Sequence, residues 1–179
     1  MTEIVLGVLL VGTLAACGST APRSLWPRLV VPGSGSGGVA APSARAGVAY
    51  SFGAMQVCIR GPRGAVSIES VKPVDARGGL HVSGYGVWRP GTSEFGADKV
   101  QVAAIAGFDA HREPTGRCSQ HRVDTIVVQV DKPHDTFASS TGFELSYRSG
   151  GSTHTVLLPL GVALCARSAP HRDCTPPAP

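Results

Sequence analysis

The chain has 179 residues, of which 42% are apolar, enough for one packed domain with tails but too few for two full domains. Glycine and proline number 23 and 14, above the average share but below the level that indicates a wholly disordered chain. The net charge of +4 comes from basic residues scattered singly, which favours a solvated surface over a nucleic-acid interface, so we expect no nucleic-acid partner.

The N-terminal segment has the character of an export signal. Residues 4–14 read IVLGVLLVGTL and carry no charge. Eleven residues are too few to span a bilayer, which takes about 20 apolar residues, but they match the hydrophobic region of a signal peptide. The segment ends in Leu14, Ala15, Ala16 and Cys17, which resemble the lipobox of bacterial lipoproteins.

This resemblance implies a lipid anchor on Cys17. In lipoproteins the thiol of that cysteine is alkylated with diacylglycerol and the peptide is cut just before it. Residues 1–16 would then be removed, and at least two acyl chains would hold the protein at the extracytoplasmic face of the cell membrane. The alternatives are an ordinary secretory signal with an incidental cysteine, and a buried apolar strand.

Residues 17–47 are predicted to form a flexible tether after the lipidated cysteine. They are rich in Ser, Gly, Pro and Ala and show neither a helical nor a strand period. Gly33, Gly35 and Gly38 match the G-x-G-x-x-G dinucleotide motif, which functions only between a strand and a helix. Because Pro42 interrupts any helix there, we interpret these glycines as linker residues.

The domain is predicted to span residues 48–166, followed by a Pro-rich tail over 167–179. Short apolar runs with period two indicate half-buried strands, and no long window shows a helical repeat. Gly150 and Gly151 predict a hairpin, and Pro159 predicts a bulge or break in the last run. The alternating segments lie around residues 55–59, 66–69, 80–88, 100–102, 126–130, 143–147 and 153–164.

Seven or eight such strands predict an all-β fold, a two-sheet immunoglobulin-like sandwich. The chain as a whole is similar to the small β-rich lipoproteins of high-GC Gram-positive bacteria. Period two places Val82 and Trp88 on one face of their strand and Tyr85 on the other, so one aromatic side chain is expected in the core. Trp26 falls in the tether, where its indole would touch the membrane interface or a partner, or be an incidental linker residue.

Four cysteines remain besides Cys17, and an even number in an exported chain indicates two disulfides. Three connectivities are open. Proximity favours Cys165 with Cys174, which leaves Cys58 with Cys118.

A metal site is the competing interpretation of these cysteines. Cys118 and His121 form C-x-x-H, and His171 and Cys174 form H-x-x-C, so the two pairs together contain the ligands of a tetrahedral Cys₂His₂ zinc site. Exported thiols tend to pair with each other first, and we therefore favour disulfides and expect no resident cofactor. A lipoprotein that handles zinc or copper is the second functional hypothesis.

Catalytic motifs do not emerge from the sequence, and no catalytic residue is nominated. There is no G-x-S-x-G, H-E-x-x-H, P-loop or S-x-x-K pattern. Asp124 and Asp131 flank an apolar run and Asp135 follows it, as strand-end and turn residues do. The leading hypothesis is a non-catalytic, membrane-tethered binding or scaffolding module whose expected partner is another envelope protein. An envelope hydrolase is the third hypothesis.

Overall fold

A computed structural model describes residues 25–33, 37–88, 108–109, 112–168 and 174–179. Cys17, the segment around residues 100–102 and His171 lie outside these ranges. Within them no α-helix occurs, and no helix has the length and apolar character that a bilayer crossing requires. The strands are β1 Arg28–Val30, β2 Gly37–Ala41, β3 Tyr50–Arg60, β4 Val66–Val74, β5 His81–Trp88, β6 Phe108–Asp109, β7 Asp124–Asp131, β8 Ala138–Ser140, β9 Gly142–Ser149, β10 Ser152–Leu158 and β11 Leu160–Leu164.

The strands form two packed layers, which confirms the predicted all-β sandwich. One layer is a five-stranded antiparallel sheet in the order β1-β3-β7-β5-β6. The other contains two three-stranded sheets, β10-β9-β4 and β2-β11-β8. Only Thr141 separates β8 from β9, and only Pro159 separates β10 from β11. Each of these two pairs forms one long arm that contributes a strand to each of the three-stranded sheets. A single core of buried side chains from all three sheets joins the layers.

The strand order agrees with the predicted immunoglobulin-like architecture. The orders β1-β3-β7-β5 and β4-β9-β10 correspond to the ABED and CFG sheets of constant-type immunoglobulin domains. Strand β6 is an addition beside β5, and β2 adds a strand parallel to β11. The described ranges contain eleven strands, more than the seven or eight predicted, because both long arms are broken and the N-terminal segment contributes two strands.

The β9–β10 hairpin forms where it was predicted. Ser149 pairs with Ser152, and the two residues between them have positive φ angles, +58° at Gly150 and +81° at Gly151. Positive φ at both central residues is the type I′ arrangement, whose twist matches that of the flanking strands. Pro159 marks the predicted break, since it has no amide hydrogen to continue a strand ladder.

The prediction of a flexible tether over residues 17–47 is wrong for its second half. Strand β1 pairs with β3, and β2 pairs with β11, so both belong to the sandwich. Leu29 and Ala41 are buried in the core. Their partner strands lie far along the chain, and such long-range pairing leaves no local period in the sequence. The sandwich therefore begins within the segment that was predicted to be a tether.

The C-terminal tail also belongs to the fold over its last residues. Cys174 is bonded to Cys165 at the end of β11. Beyond it, Pro176 lies so close to Gly38 that a Cβ there would come within 2.5 Å of its ring, and a Cβ at Gly161 would overlap the Pro177 carbonyl. The tail thus lies against β2 and β11, at two positions where only glycine fits.

Bulges in β3, β4 and β5 change which residues face the core. In β5 the register shifts between Val82 and Gly84, and one extra residue reverses the alternation beyond it. Val82 therefore packs against the same core as Tyr85, whereas the sequence placed it on the face of Trp88. Trp88 is buried outside that core cluster, so the two aromatic side chains do lie on opposite faces.

Candidate functional site

Two disulfides with the favoured pairing are present in the structure. Cys58 in β3 is bonded to Cys118 in a 3-10 turn, with Cα atoms 5.1 Å apart, and Cys165 is bonded to Cys174, at 5.6 Å. The first closes a loop with a sequence separation of 60 and the second one of 9. The longer closure ties the 3-10 turn to β3, the strand next to β1 in the five-stranded sheet.

The disulfides contradict the alternative metal site of Cys118, His121, His171 and Cys174. Both of its thiols are bonded to other cysteines, and zinc requires the thiolate form of its sulfur ligands. His121 is exposed at the end of the 3-10 turn. In the part of the chain that the structure describes, no three His, Cys, Asp or Glu side chains are grouped to hold a metal ion.

The carboxylates at the ends of β7 hold loops in place. Asp124, the first residue of the strand, is buried and accepts hydrogen bonds from the amides of Thr115 and Gly116, at 2.6 and 2.7 Å. Oδ1 of Asp131, the last residue, lies 2.7 Å from Nε2 of His81. Asp135 accepts a hydrogen bond from the amide of Ala46, at 2.7 Å. All three have the strand-end or turn role that the sequence predicted.

Lys132 has a buried amine at the end of the sandwich where Asp131 and Asp135 lie. Its side chain has no solvent exposure, and Nζ donates to the carbonyls of Thr136, Leu164 and Cys165, at 2.6, 3.4 and 3.1 Å. Burial lowers the pKa of Lys132, and the charge of Asp135 partly opposes that shift. The amine joins the loop after β7 to the end of β11, a structural role that the sequence did not indicate.

A polar network crosses the outer surface of the β10-β9-β4 sheet. Nε and Nη2 of Arg148 both lie 2.7 Å from Oε1 of Glu69, and Thr153 donates to Oε2, at 3.0 Å. These hydrogen bonds lower the pKa of Glu69. Nearby, Tyr85 donates to the Glu69 carbonyl, and the Arg112 guanidinium lies 4.2 Å from the Tyr85 ring centre. The members of this network bind one another, so it crosslinks the surface.

A shallow depression lies between the β3–β4 turn and the segment before the 3-10 turn. Its volume is about 180 Å³, below the roughly 300 Å³ at which small-molecule pockets begin. Arg117 on its rim donates to the carbonyls of Pro62 and Gly64, at 2.9 and 3.5 Å. The depression is lined by Ile59, Gly64, Ala65, Val66, Glu113, Pro114, Thr115 and Arg117.

Apolar side chains are exposed at the end of the sandwich that carries the β3–β4 and β9–β10 turns. Leu25 is 81% exposed and Trp26 is 51% exposed. One side of the Trp26 ring rests on Gly150 in the β9–β10 turn, and the Ser149 hydroxyl donates to the Pro27 carbonyl, at 2.6 Å. This short segment is therefore fixed across the end of the sandwich, where the sequence suggested an incidental linker residue.

Three arginines lie at the same end of the sandwich as Trp26, in β1, in β3 and in the β3–β4 turn. Arg28 and Arg60 lie directly opposite each other in the β1–β3 pair, and Arg63 is in the adjoining turn. All three are exposed, and within the described ranges no carboxylate forms an ion pair with them. We call Leu25, Trp26, Arg28, Arg60 and Arg63 together the arginine–tryptophan surface.

Comparison of the chain with protein-family models, with curated proteins and with solved structures found no match. The agreement with immunoglobulin domains is accordingly one of strand order alone. The arginine–tryptophan surface combines exposed apolar and cationic side chains, and we therefore take it as the candidate binding surface. Trp26 stood out in the sequence but the arginines did not, because the β1–β3 pairing that aligns two of them is long-range.

Proposed function

We propose that this protein is a membrane-anchored lipoprotein of the bacterial cell envelope and that its β-sandwich is a non-catalytic binding or scaffolding module. The observation that carries this proposal is the combination of a hydrophobic leader ending at Cys17 with a domain that holds two disulfides. Disulfides persist in oxidising compartments and are rare in the cytosol, which supports export. A lipobox-like motif supports anchoring after export.

The polar groups of the sandwich support binding rather than catalysis. Glu69, Asp124 and Lys132 are each engaged in hydrogen bonds that connect strands and loops. The depression beside Arg117 is too small for a typical substrate. Recognition through an exposed surface, with another envelope protein as the partner, is the function that this arrangement favours.

Replacing Cys17 tests the anchor directly. Cells producing wild-type protein or the Cys17→Ala variant are grown with a labelled fatty acid, and the protein is isolated and sized. Wild type should carry the label, whereas Cys17→Ala should be unlabelled and larger, because residues 1–16 are retained. Ser19→Ala, a neighbouring small change, should behave as wild type. Equal labelling and equal size of wild type and Cys17→Ala would refute the proposal.

The binding role predicts a defined partner in the envelope. Chemical crosslinking of intact cells should give one or a few adducts of reproducible mass that contain this protein and another envelope protein. Recovery of the protein only in uncrosslinked form, under conditions in which a known envelope complex is captured, would contradict a scaffolding role.

A further inference from the structure

We propose that the arginine–tryptophan surface docks on anionic lipid headgroups of the bilayer that holds Cys17. The sandwich would then stand with its β3–β4 and β9–β10 turns against the membrane and its opposite end outward. This inference rests on the proposed lipid anchor, and it adds an orientation and a second point of contact to that anchor.

The apolar part of the surface suits the interface of a bilayer. Tryptophan side chains are enriched at membrane interfaces, where the ring meets both apolar and polar surroundings. Trp26 is 51% exposed while its ring is supported by Gly150, so the indole is presented in a fixed position. Leu25 beside it is 81% exposed and adds an aliphatic side chain to the same contact.

The charged part of the surface is suited to an anion. Arg28 and Arg60 are directly opposite each other, and like charges in that arrangement destabilise a strand pair. An anionic group between them would offset the repulsion, and guanidinium groups bind phosphate oxygens with two parallel hydrogen bonds. Arg63 adds a third charge.

The length of the spacer brings this surface to the membrane. Trp26 follows Cys17 by nine residues, which span at most about 30 Å when fully extended. The opposite end of the sandwich is farther from Cys17 than Trp26 is by the length of one strand, about 35 Å for the eleven residues of β3. A lipid on Cys17 therefore holds the arginine–tryptophan surface nearer to the headgroups than the far end.

The test uses the lipidated protein purified in detergent and reconstituted into vesicles that contain brominated acyl chains, which quench nearby indoles. Emission of a Trp26→Phe variant is subtracted from that of wild type, because Trp88 is buried and contributes a background. In vesicles rich in phosphatidylglycerol we expect at least half of the Trp26 emission to be quenched. In phosphatidylcholine vesicles, or in high salt, the quenching should fall at least twofold, since the attraction to anionic lipid is screened.

Two charge-matched double variants distinguish docking through this surface from a general effect of the protein's net charge. Arg60→Gln with Arg63→Gln removes two charges from the docking surface, whereas Arg45→Gln with Arg77→Gln removes two exposed charges from the opposite end. We expect the first pair to lose at least half of the phosphatidylglycerol-dependent quenching and the second pair to retain it.

Vesicle flotation distinguishes the two ways in which the inference can fail. Protein that does not float with vesicles would refute the lipid anchor and this orientation with it. Protein that floats, but whose Trp26 emission is the same in both lipids or in both charge variants, would refute the docking surface and leave the anchor standing.

Discussion

Lys132 shows how a single residue can connect two parts of the sandwich. Its fully buried Nζ donates to three carbonyls, two of which belong to the end of β11 and the residue after it. A buried charge is tolerated only when it is well hydrogen-bonded, and removing it would leave those carbonyls without their donor. This role was not predictable from the sequence, since lysine is among the residues most often found on the surface.

We expect Lys132→Met to lower the free energy of unfolding by about 2 to 4 kcal/mol, the cost of leaving buried polar groups unsatisfied. The matched control is Lys72→Met, because Lys72 is exposed on β4. The control should change stability by less than about 0.5 kcal/mol. Urea denaturation measures both values, and equal effects of the two substitutions would contradict the structural role of Lys132.

The lowered pKa of Lys132 also predicts a pH dependence. In the unfolded chain the pKa of a lysine is about 10.4, while burial lowers the pKa of Lys132 in the folded protein. Between those two values the unfolded chain binds more protons, so the free energy of unfolding of wild type should rise with pH. The difference between wild type and Lys132→Met, measured by urea denaturation from pH 8 upward, should therefore grow. If the difference in free energy of unfolding between wild type and Lys132→Met stays constant or shrinks as the pH rises, the lysine is not desolvated.

At the scale of an element, the β9–β10 turn supports both the hairpin and Trp26. Gly150 and Gly151 both have positive φ, which costs an alanine about 1 kcal/mol at either position. Only at Gly150 would the added Cβ overlap the Trp26 ring, whereas nothing lies within 4 Å of a Cβ at Gly151. We expect Gly150→Ala to displace Trp26 and shift its emission to longer wavelength, and Gly151→Ala to leave the emission unchanged. Identical emission spectra would show that Trp26 does not rest on this turn.

The two disulfides should differ in what they contribute. In the chain-entropy model a closure of 60 residues contributes about 4 kcal/mol and one of nine residues about 3 kcal/mol. Replacing Cys58 and Cys118 by alanine should therefore destabilise the domain more than replacing Cys165 and Cys174, since each pair has one buried cysteine and the difference lies in the loop length. Thermal unfolding compares the two double variants. A larger loss for the Cys165–Cys174 pair would mean that the tail contributes more than its loop length implies.

The elements that were predictable from the sequence are those with local signals. Strands β3, β4, β7 and β9 carry period-two apolar residues, the β9–β10 turn has two adjacent glycines, and proximity favoured the observed cysteine pairing. What failed depends on distant partners. Strands β1 and β2 contain few residues and form only by pairing with β3 and β11. The bulge at residue 83 places Val82 on the opposite face from the one that period two predicted. For the same reason the arginine–tryptophan surface was visible only as an isolated Trp26.

At the scale of the whole molecule, the pairing of β1 and β2 changes the geometry that the proposed anchor would have. A flexible tether of about thirty residues would let the domain move far from the bilayer, by up to about 100 Å. With β1 paired from Arg28, only residues 18–27 lie between Cys17 and β1, about a third of that number. The proposed lipid on Cys17 would therefore hold one end of the sandwich close to the membrane, and the loops around Arg45, Arg77 and Phe137 would lie at the other end.

The mass of the protein isolated from its own cell tests this account most directly. Alkylation of the thiols in denaturant without reductant, followed by intact mass spectrometry, reports the first residue, any lipid on Cys17 and the number of free thiols at once. We expect a chain that begins at Cys17, carries a diacylglyceryl group, and takes up no alkylating reagent because its other four cysteines are paired. A chain that still begins at residue 1 and has an alkylated Cys17 would contradict the account.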